Sequence, residues 1–334
     1  MALNIAGPNG AGVGIDILDD TILDVFSDEI LHFALGATRF EEFAVVREDL
    51  MLAPGQTLNF VRYNDLGGDP ALPDEATAMT TDSMSSSTLS ITVNEYGKAV
   101  KVSEKLLVVN RDDIMREASM QLGRHYSQWG PDRLLMLNAL FGDGVSAPSV
   151  LYANDRAART DLQANDFFDT ELIREAVEEL QVNNVPKFDN DFYICICHPH
   201  QARYIRQDPD WIAANNYHGT RALFNGELGR WEDVVFVQTS NLPNGTATSA
   251  TEVAFYDGNA DTFNDLTSGV AGNQTDVYTA SLFGDGYYAL AWALPVEMRH
   301  NGVEDFGRLH SLAWYAIYGA GLLHPTHGLR LESA

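Results

Sequence analysis

The chain is short of basic residues. Its 334 residues include 47 acidic and 21 basic ones, which gives a formal net charge of −26. Lysine occurs at only four positions: Lys98, Lys101, Lys105 and Lys187. Because such a chain repels polyphosphates overall, a general nucleic-acid binder is disfavoured. The scarcity of lysine is typical of salt-adapted proteins and of GC-rich genomes, and the sequence does not separate the two.

Cysteine and long apolar runs are also scarce. The only cysteines are Cys195 and Cys197, and their spacing does not indicate a disulfide framework, so we expect folding in a reducing cytoplasm. The longest uncharged apolar run, residues 311–323, is much shorter than the roughly 20 residues that cross a membrane. The N-terminus lacks the basic and apolar regions of a secretory signal. We therefore expect no membrane association.

The chain is nevertheless apolar enough to bury a core, with 45% hydrophobic residues and a length typical of two or three structural units. The Gly-rich stretch over residues 1–17 lacks the context of a phosphate-binding loop and predicts a flexible arm. Apolar residues at helical spacing predict amphipathic helices over residues 20–35, 110–141 and 169–182. Gly130-Pro131 should interrupt the second of these helices.

Residues 51–108 carry the clearest strand pattern. Leu89, Ile91 and Val93 alternate with polar residues, and residues 56–63 predict a partner strand. The connector over residues 64–86 is much longer than an ordinary hairpin loop. We interpret the region as a long two-stranded arm. Because such an arm is only marginally stable alone, we expect it to lie against another subunit.

The second half of the chain has a different pattern. We predict buried strands over residues 192–197 and 233–237, with a short helix over residues 200–206 between them. Residues 241–279 are polar and irregular. Residues 288–299 and 309–318 predict a long antiparallel pair with its turn at Asn301-Gly302.

One group of residues suggests metal chemistry. Four potential zinc ligands lie within six residues: Cys195, Cys197, His198 and His200. Structural zinc sites normally use ligand pairs on turns with a wider separation between pairs, whereas here the cysteines alternate with Ile194 and Ile196 as on a buried strand. We therefore predict core packing for the cysteines and keep a metal-dependent enzyme as an alternative.

The other candidate sites have ordinary structural interpretations. Residues 142–144 and 189–191 resemble parts of calcium loops but lack the rest of the motif. The C-terminal histidines, His300, His310, His324 and His327, carry no catalytic signature. The pairs Glu41-Glu42 and Glu178-Glu179 predict solvated helix faces. The sequence thus predicts no catalytic, cofactor-binding or metal site, and we predict a protein that is not an enzyme.

The order of these elements resembles the major capsid proteins of tailed double-stranded DNA bacteriophages, which have the Hong Kong 97-type (HK97-like) fold, and most closely the podophage coat proteins. The resemblance rests on residues 94–105, on residues 198–206 with 225–229 and 234–237, and on residues 283–286 with 294–319. These diffuse motifs span residues 40–325, and none is a catalytic fingerprint.

The resemblance implies an α+β capsid fold divided into four parts. Residues 1–50 would be the N-terminal arm, and residues 51–108 the extended hairpin, or E-loop, that overlaps a neighbouring subunit. Residues 109–190 and 288–334 would form the peripheral domain with its long spine helix. Residues 191–287 would form the axial domain, whose loops meet around five- and six-fold centres.

The resemblance also implies function and partners. The chain would assemble with itself, as pentamers and hexamers, into an icosahedral shell around double-stranded DNA that it does not bind specifically. A scaffold, a portal and a separate cement protein are the expected partners, with assembly in the host cytoplasm and residence in the virion. Some relatives join subunits through Lys–Asn bonds, but the expected hairpin tip has no lysine, which predicts non-covalent stabilisation. An encapsulin-like nanocompartment shell is the structural alternative.

Overall fold

The computed structural model describes residues 39–48, 55–63, 83–110, 114–144, 146–189, 191–211, 229–242, 244–247, 266–268, 277–305 and 308–334. Three predicted segments lie outside these residues: the flexible stretch over residues 1–17, the helix over residues 20–35 and most of the long connector over residues 64–86.

The described residues include five α-helices. They are α1 (Glu104–Val109), α2 (Ile114–Trp129), α3 (Pro131–Phe141), α4 (Thr170–Val182) and α5 (Pro199–Ile205). The predicted break between α2 and α3 is confirmed: a Cβ atom on Gly130 would lie 2.5 Å from the Tyr126 carbonyl oxygen, and Pro131 begins the next helix. Of the helices that the structure describes, none is long and apolar enough to cross a membrane.

The strands are β1 (Val45–Arg47), β2 (Thr57–Tyr63), β3 (Ser86–Thr92), β4 (Asn94–Ser103), β5 (Ser149–Tyr152), β6 (Tyr193–Cys197), β7 (Arg230–Trp231), β8 (Val234–Gln238), β9 (Asn244–Ala247), β10 (Leu266–Ser268), β11 (Val277–Phe283), β12 (Tyr288–Glu304), β13 (Leu309–Leu322) and β14 (Gly328–Ser333).

A four-stranded sheet has the strand order β1-β12-β13-β4. The predicted antiparallel pairing of β12 with β13 is confirmed, and β4 pairs along the other edge of β13 from Asn94 opposite Tyr318 to Ser103 opposite Leu309. The predicted turn at Asn301-Gly302 is wrong. Strand β12 continues to Glu304, and Asn301-Gly302 lies where the register shifts between His300 and Val303. An Asn-Gly pair is accommodated by an irregularity within a strand as well as by a turn.

A second, larger sheet is mixed. Strand β11 pairs with β14 along one edge, and with β6 and β9 along the other. The sheet continues from β6 to β8 and β7, and from β14 to β5. Strand β14 was not predicted from the sequence, although every one of its residues is buried.

Helix α3 packs against both sheets. It is apolar on almost all sides, which is typical of a helix buried on all faces, and it packs against β12 and β13 of one sheet and β11 and β14 of the other. The side chains of Leu135, Met136 and Leu140 belong to a core that also contains Ile194 and Ile196 of β6. A second core lies between α4 and the opposite face of β6. Helix α4 is capped by Asp169, whose carboxylate accepts from the Leu172 N–H at 3.0 Å.

Candidate functional site

The four candidate metal ligands do not form a common site. Cys195 and Cys197 are fully buried on the face of β6 toward α4, whereas Ile194 and Ile196 enter the other core. Burial raises the pKa of the Cys197 thiol to about 12 and that of Cys195 well above its ordinary value, so neither thiol is ionised at neutral pH. Among the described residues, no three His, Cys, Asp or Glu side chains are arranged to hold a metal ion.

The two histidines have structural contacts instead. His198 caps helix α5, because its Nδ1 accepts from the His200 backbone N–H at 3.2 Å and the Gln201 side chain accepts from the His198 N–H at 3.1 Å. Both imidazole rings stack on Tyr278, with ring centroids 4.9 Å away for His198 and 4.1 Å for His200. The two rings therefore take part in capping and stacking contacts.

The C-terminal histidines form two pairs and not a cluster. His300 and His310 lie 6.5 Å apart between ring centroids, and His324 stacks on His327 at 4.4 Å. His310 is near the start of β13 and His324 follows its end, so the pairs are separated by the length of the strand, about 40 Å at 3.3 Å per residue.

The acidic residues of the two loops that resemble calcium loops form structural contacts. The Asp143 carboxylate accepts from the backbone N–H groups of Ser146 and Leu322, and Asp191 forms an ion pair with Arg230. The prediction of a solvated face is wrong for Glu41, because its carboxyl is partly buried and desolvation raises its pKa to about 7.

The hairpin of β2 and β3 has one packed face and one exposed face. Its inner side chains, including Phe60 and Ile91, pack on Ala289 and Ala291 of the four-stranded sheet. Two glycines in β13 permit this close approach. A Cβ atom on Gly319 would lie 2.4 Å from the Thr92 carbonyl oxygen, and one on Gly321 would lie 3.1 Å from the Ile91 side chain.

The outer face of the hairpin carries exposed apolar side chains. Val61 and Tyr63 point away from the sheet, and Tyr63 is 67% exposed. Met84, just before β3, is also exposed. The alternation along β2 therefore places apolar side chains on both faces, and among the described residues only those of the inner face belong to a hydrophobic cluster.

Helix α1 is a second exposed apolar surface. It begins where the Ser103 hydroxyl accepts from the Leu106 N–H, and none of its residues is buried. Val108 and Val109 are 77% and 76% exposed. Beside them a groove of about 500 Å³ is lined by residues of α1 and of the β12–β13 turn, among them Asp305, Arg308 and Leu309. Sequence reasoning missed this surface because it assigned residues up to 108 to the hairpin arm, although the run Leu106-Leu107-Val108-Val109 was a visible signal.

The exposed apolar surfaces are the functional feature that this geometry supports. Contiguous exposed apolar residues on a folded chain indicate contact with another protein surface. Two such surfaces at different places on one chain are suited to head-to-tail contacts between copies, in which one surface of each copy meets the other surface of the next.

Comparisons with known proteins agree with this interpretation. A family model described as phage capsid protein matches residues 86–331. A search among curated proteins returned no match.

Solved phage capsids have the same fold. The capsid of Ralstonia phage GP4 superimposes with a TM-score of 0.68 at 15% sequence identity, covering 89% of this chain and 91% of that chain. The cyanophage Pam1 capsid gives a TM-score of 0.67 at 15% identity, covering 87% and 88%, and that of Helicobacter pylori phage KHP30 gives 0.66 at 13% identity, covering 89% and 91%. The predicted α+β, Hong Kong 97-type capsid fold is confirmed.

Proposed function

The chain belongs to the phage capsid protein family, and from that membership we propose that many copies of this major capsid protein close into an icosahedral shell around double-stranded DNA. The contacts would be non-covalent, with the hairpin of each subunit lying on a neighbour. The observation that carries this proposal is the pair of exposed apolar surfaces, the outer hairpin face and helix α1.

The division of the chain into arm, hairpin, peripheral and axial parts is part of the proposal. Residues 1–50 are assigned to the arm, 51–108 to the hairpin, 109–190 with 288–334 to the peripheral domain, and 191–287 to the axial domain. Within the second part, β2 and β3 form the separate two-stranded hairpin, whereas β4 pairs with β13 in the four-stranded sheet. The part that can reach a neighbour is therefore the hairpin beyond Thr57 and Thr92.

The charges favour a shell that encloses DNA without binding it. A net charge of −26 per subunit repels the phosphate backbone, which leaves packaged DNA free to slide. Lys98 and Lys101 lie in β4 and Lys105 in α1, away from the two-stranded hairpin. This placement supports non-covalent contacts between subunits rather than covalent bonds through lysine. No catalytic step is assigned to the protein.

Further partners follow from the proposed role. Subunits would associate as pentamers and hexamers, and a scaffold, a portal and a cement protein would complete the particle. Assembly would take place in the host cytoplasm, and the finished protein would reside in the virion.

The proposal is tested by making helix α1 polar. In the double variant Val108→Ser/Val109→Ser, we expect a folded subunit with unchanged thermal unfolding, because neither side chain is buried within the chain. We expect the fraction of protein that sediments as shells to fall at least tenfold. The matched control is Val182→Ser, at the end of α4, where the valine is 73% exposed but outside both surfaces. Normal shell yield from the double variant would refute the role of α1.

A further inference from the structure

The first described residues of the chain are held by a single buried carboxylate. We call residues 39–41 the arm root, because everything before them belongs to the proposed N-terminal arm. One oxygen of Asp132 accepts from three consecutive backbone N–H groups of the arm root, at 2.7 Å from Arg39, 2.6 Å from Phe40 and 3.1 Å from Glu41. Asp132 is 3% exposed.

The carboxylate is well placed for this contact. Asp132 lies in the first turn of α3, where the helix dipole favours negative charge. Hydrogen bonds from neutral N–H groups to a carboxylate are stronger than those to a neutral acceptor. The Phe40 ring is fully buried, and its carbonyl accepts from the Tyr288 hydroxyl at 2.8 Å. The arm root is thus fixed at both its backbone and its side chain.

A second carboxyl lies beside the first. Glu41 follows Phe40 in the arm root, and Asp132 and Glu41 are close enough to repel each other when both are ionised. The groups that face this pair are Arg39 in the arm root, Tyr126 of α2, Tyr288 of β12 and Tyr318 of β13. Burial raises the pKa of each of the three tyrosines far above neutrality, so the tyrosines stay neutral between pH 6 and pH 8.

We infer that Asp132 positions the arm root through these three hydrogen bonds, and that the adjoining Glu41 carboxyl makes the attachment of the arm root weaker as the pH rises. Asp132 is a positioning residue: it fixes the direction in which the arm leaves the body of the subunit. Glu41 is the group that changes charge. The importance of this attachment for assembly rests on the proposed function. The attachment itself is independent of the proposed function.

The direction of the effect follows from proton linkage. Burial raises the pKa of Glu41 from 4.5 to about 7, so the closed arm root binds a proton that an opened arm root releases. The closed state is therefore most stable below pH 4.5 and loses stability as the pH rises through 7. Burial also raises the pKa of Asp132, which acts in the same direction. For Glu41 alone, the opening equilibrium changes about tenfold between pH 6 and pH 8.

The sequence supplies its own probe of opening. Residues 1–38 contain no lysine or arginine, so Arg39 is the first trypsin site and its cleavage releases residues 1–39. The bond that trypsin would cut joins Arg39 to the buried Phe40, which must leave its pocket first. When opening and closing are fast, the cleavage rate reports the population of the open state.

The experiment compares cleavage at Arg39 in unassembled full-length subunits, detected by mass and normalised to a small trypsin substrate at each pH. We expect the unchanged chain to be cut about tenfold faster at pH 8 than at pH 6. Glu41→Gln should be cut slowly at both, because the amide does not ionise. Glu42→Gln, the exposed neighbouring control, should retain the profile of the unchanged chain. A flat profile in the unchanged chain, or equal profiles in the two variants, would overturn the role of Glu41.

The positioning role has a separate readout. Asp132→Asn should be cut faster than the unchanged chain at pH 6, because the amide oxygen is a weaker acceptor for the three N–H groups. Equal rates at pH 6 would overturn the role of Asp132. A chain that shows these cleavage profiles but never forms shells would contradict the proposed function without contradicting the attachment of the arm root by Asp132. The failure of one proposal is therefore distinguishable from the failure of the other.

Discussion

Glu332 is fully buried in the C-terminal strand, and its carboxylate lies against two arginines. Arg159 donates from both Nε and Nη2 to its two oxygens, and the Nε of Arg330 lies 2.8 Å from Oε1. Both arginines are also almost fully buried. Because each charge has lost its hydration, the group is stable only while all three partners are present.

Removing this carboxylate should therefore destabilise the folded subunit. We expect Glu332→Gln to lower the free energy of unfolding by roughly 3–5 kcal/mol, since it leaves two buried guanidinium groups without their counter-charge. Urea denaturation of the unassembled subunit measures the change. The matched control is Glu297→Gln, whose partner Arg299 is half-exposed, and which should cost less than about 1 kcal/mol. Equal losses in the two variants would show that the buried group contributes no more than a surface pair.

Single residues differ in how far the sequence predicts them. The burial of Cys195 and Cys197 was predictable because their alternation with isoleucine is a local pattern. The roles of Asp132 and Glu332 were not, because Arg39 lies 93 residues from Asp132 along the chain and Arg159 lies 173 residues from Glu332. A carboxylate that accepts from distant groups has the same local sequence as one on a solvated surface.

At the scale of elements, the approach of the hairpin to the sheet depends on glycine. We expect Gly319→Ala to destabilise the subunit by about 1–3 kcal/mol, because the added methyl group would lie 2.4 Å from the Thr92 carbonyl oxygen and force the backbone apart. Gly321→Ala should destabilise the subunit less, because its added Cβ atom would lie 3.1 Å from the movable Ile91 side chain.

Thermal unfolding and amide exchange at the hairpin check this order. The amide of Val93, which donates to the Gln56 carbonyl at 3.0 Å, is a useful reporter of the base of the hairpin. If Gly319→Ala kept full protection of that amide and an unchanged midpoint, close packing of the hairpin would not depend on the glycine.

The elements that were predicted have a strong local apolar pattern, either periodic or continuous. These elements are helices α2, α3 and α4 and strands β2, β3, β6, β8, β12 and β13. Helix α1 was missed because it directly follows β4 and has no amphipathic face. Strand β14 was missed because it is buried on both faces and its polar residues find partners inside the protein. The extension of β12 past Asn301-Gly302 was missed because its pairing with β13 overrides the local turn preference.

At the scale of the whole molecule, the fold was recognisable from the order of elements, whereas the contacts between subunits depend on surface exposure, which the sequence pattern does not specify. Charge adds a further constraint. Subunits that each carry a net charge of −26 repel one another, so association has to rely on apolar contacts such as those offered by the hairpin and α1.

This repulsion predicts that salt promotes assembly. The Debye length falls from about 10 Å at 0.1 M to about 3 Å at 1 M ionic strength, which screens the charges while apolar burial persists. We expect the sedimenting fraction to rise with sodium chloride over this range. Faster or fuller assembly at low salt would mean that attractive ion pairs, and not apolar surfaces, dominate the contacts.

The central claim, that copies of this chain close into a genome-enclosing shell, is tested most directly by the mass and shape of the purified protein. Light scattering combined with negative-stain imaging gives both. The account predicts closed shells or five- and six-fold rings, with double-stranded DNA in particles recovered from infected cells. A monomer or dimer that persists at high protein concentration and high salt would contradict it, and shells that enclose protein cargo in place of DNA would assign the chain to a nanocompartment.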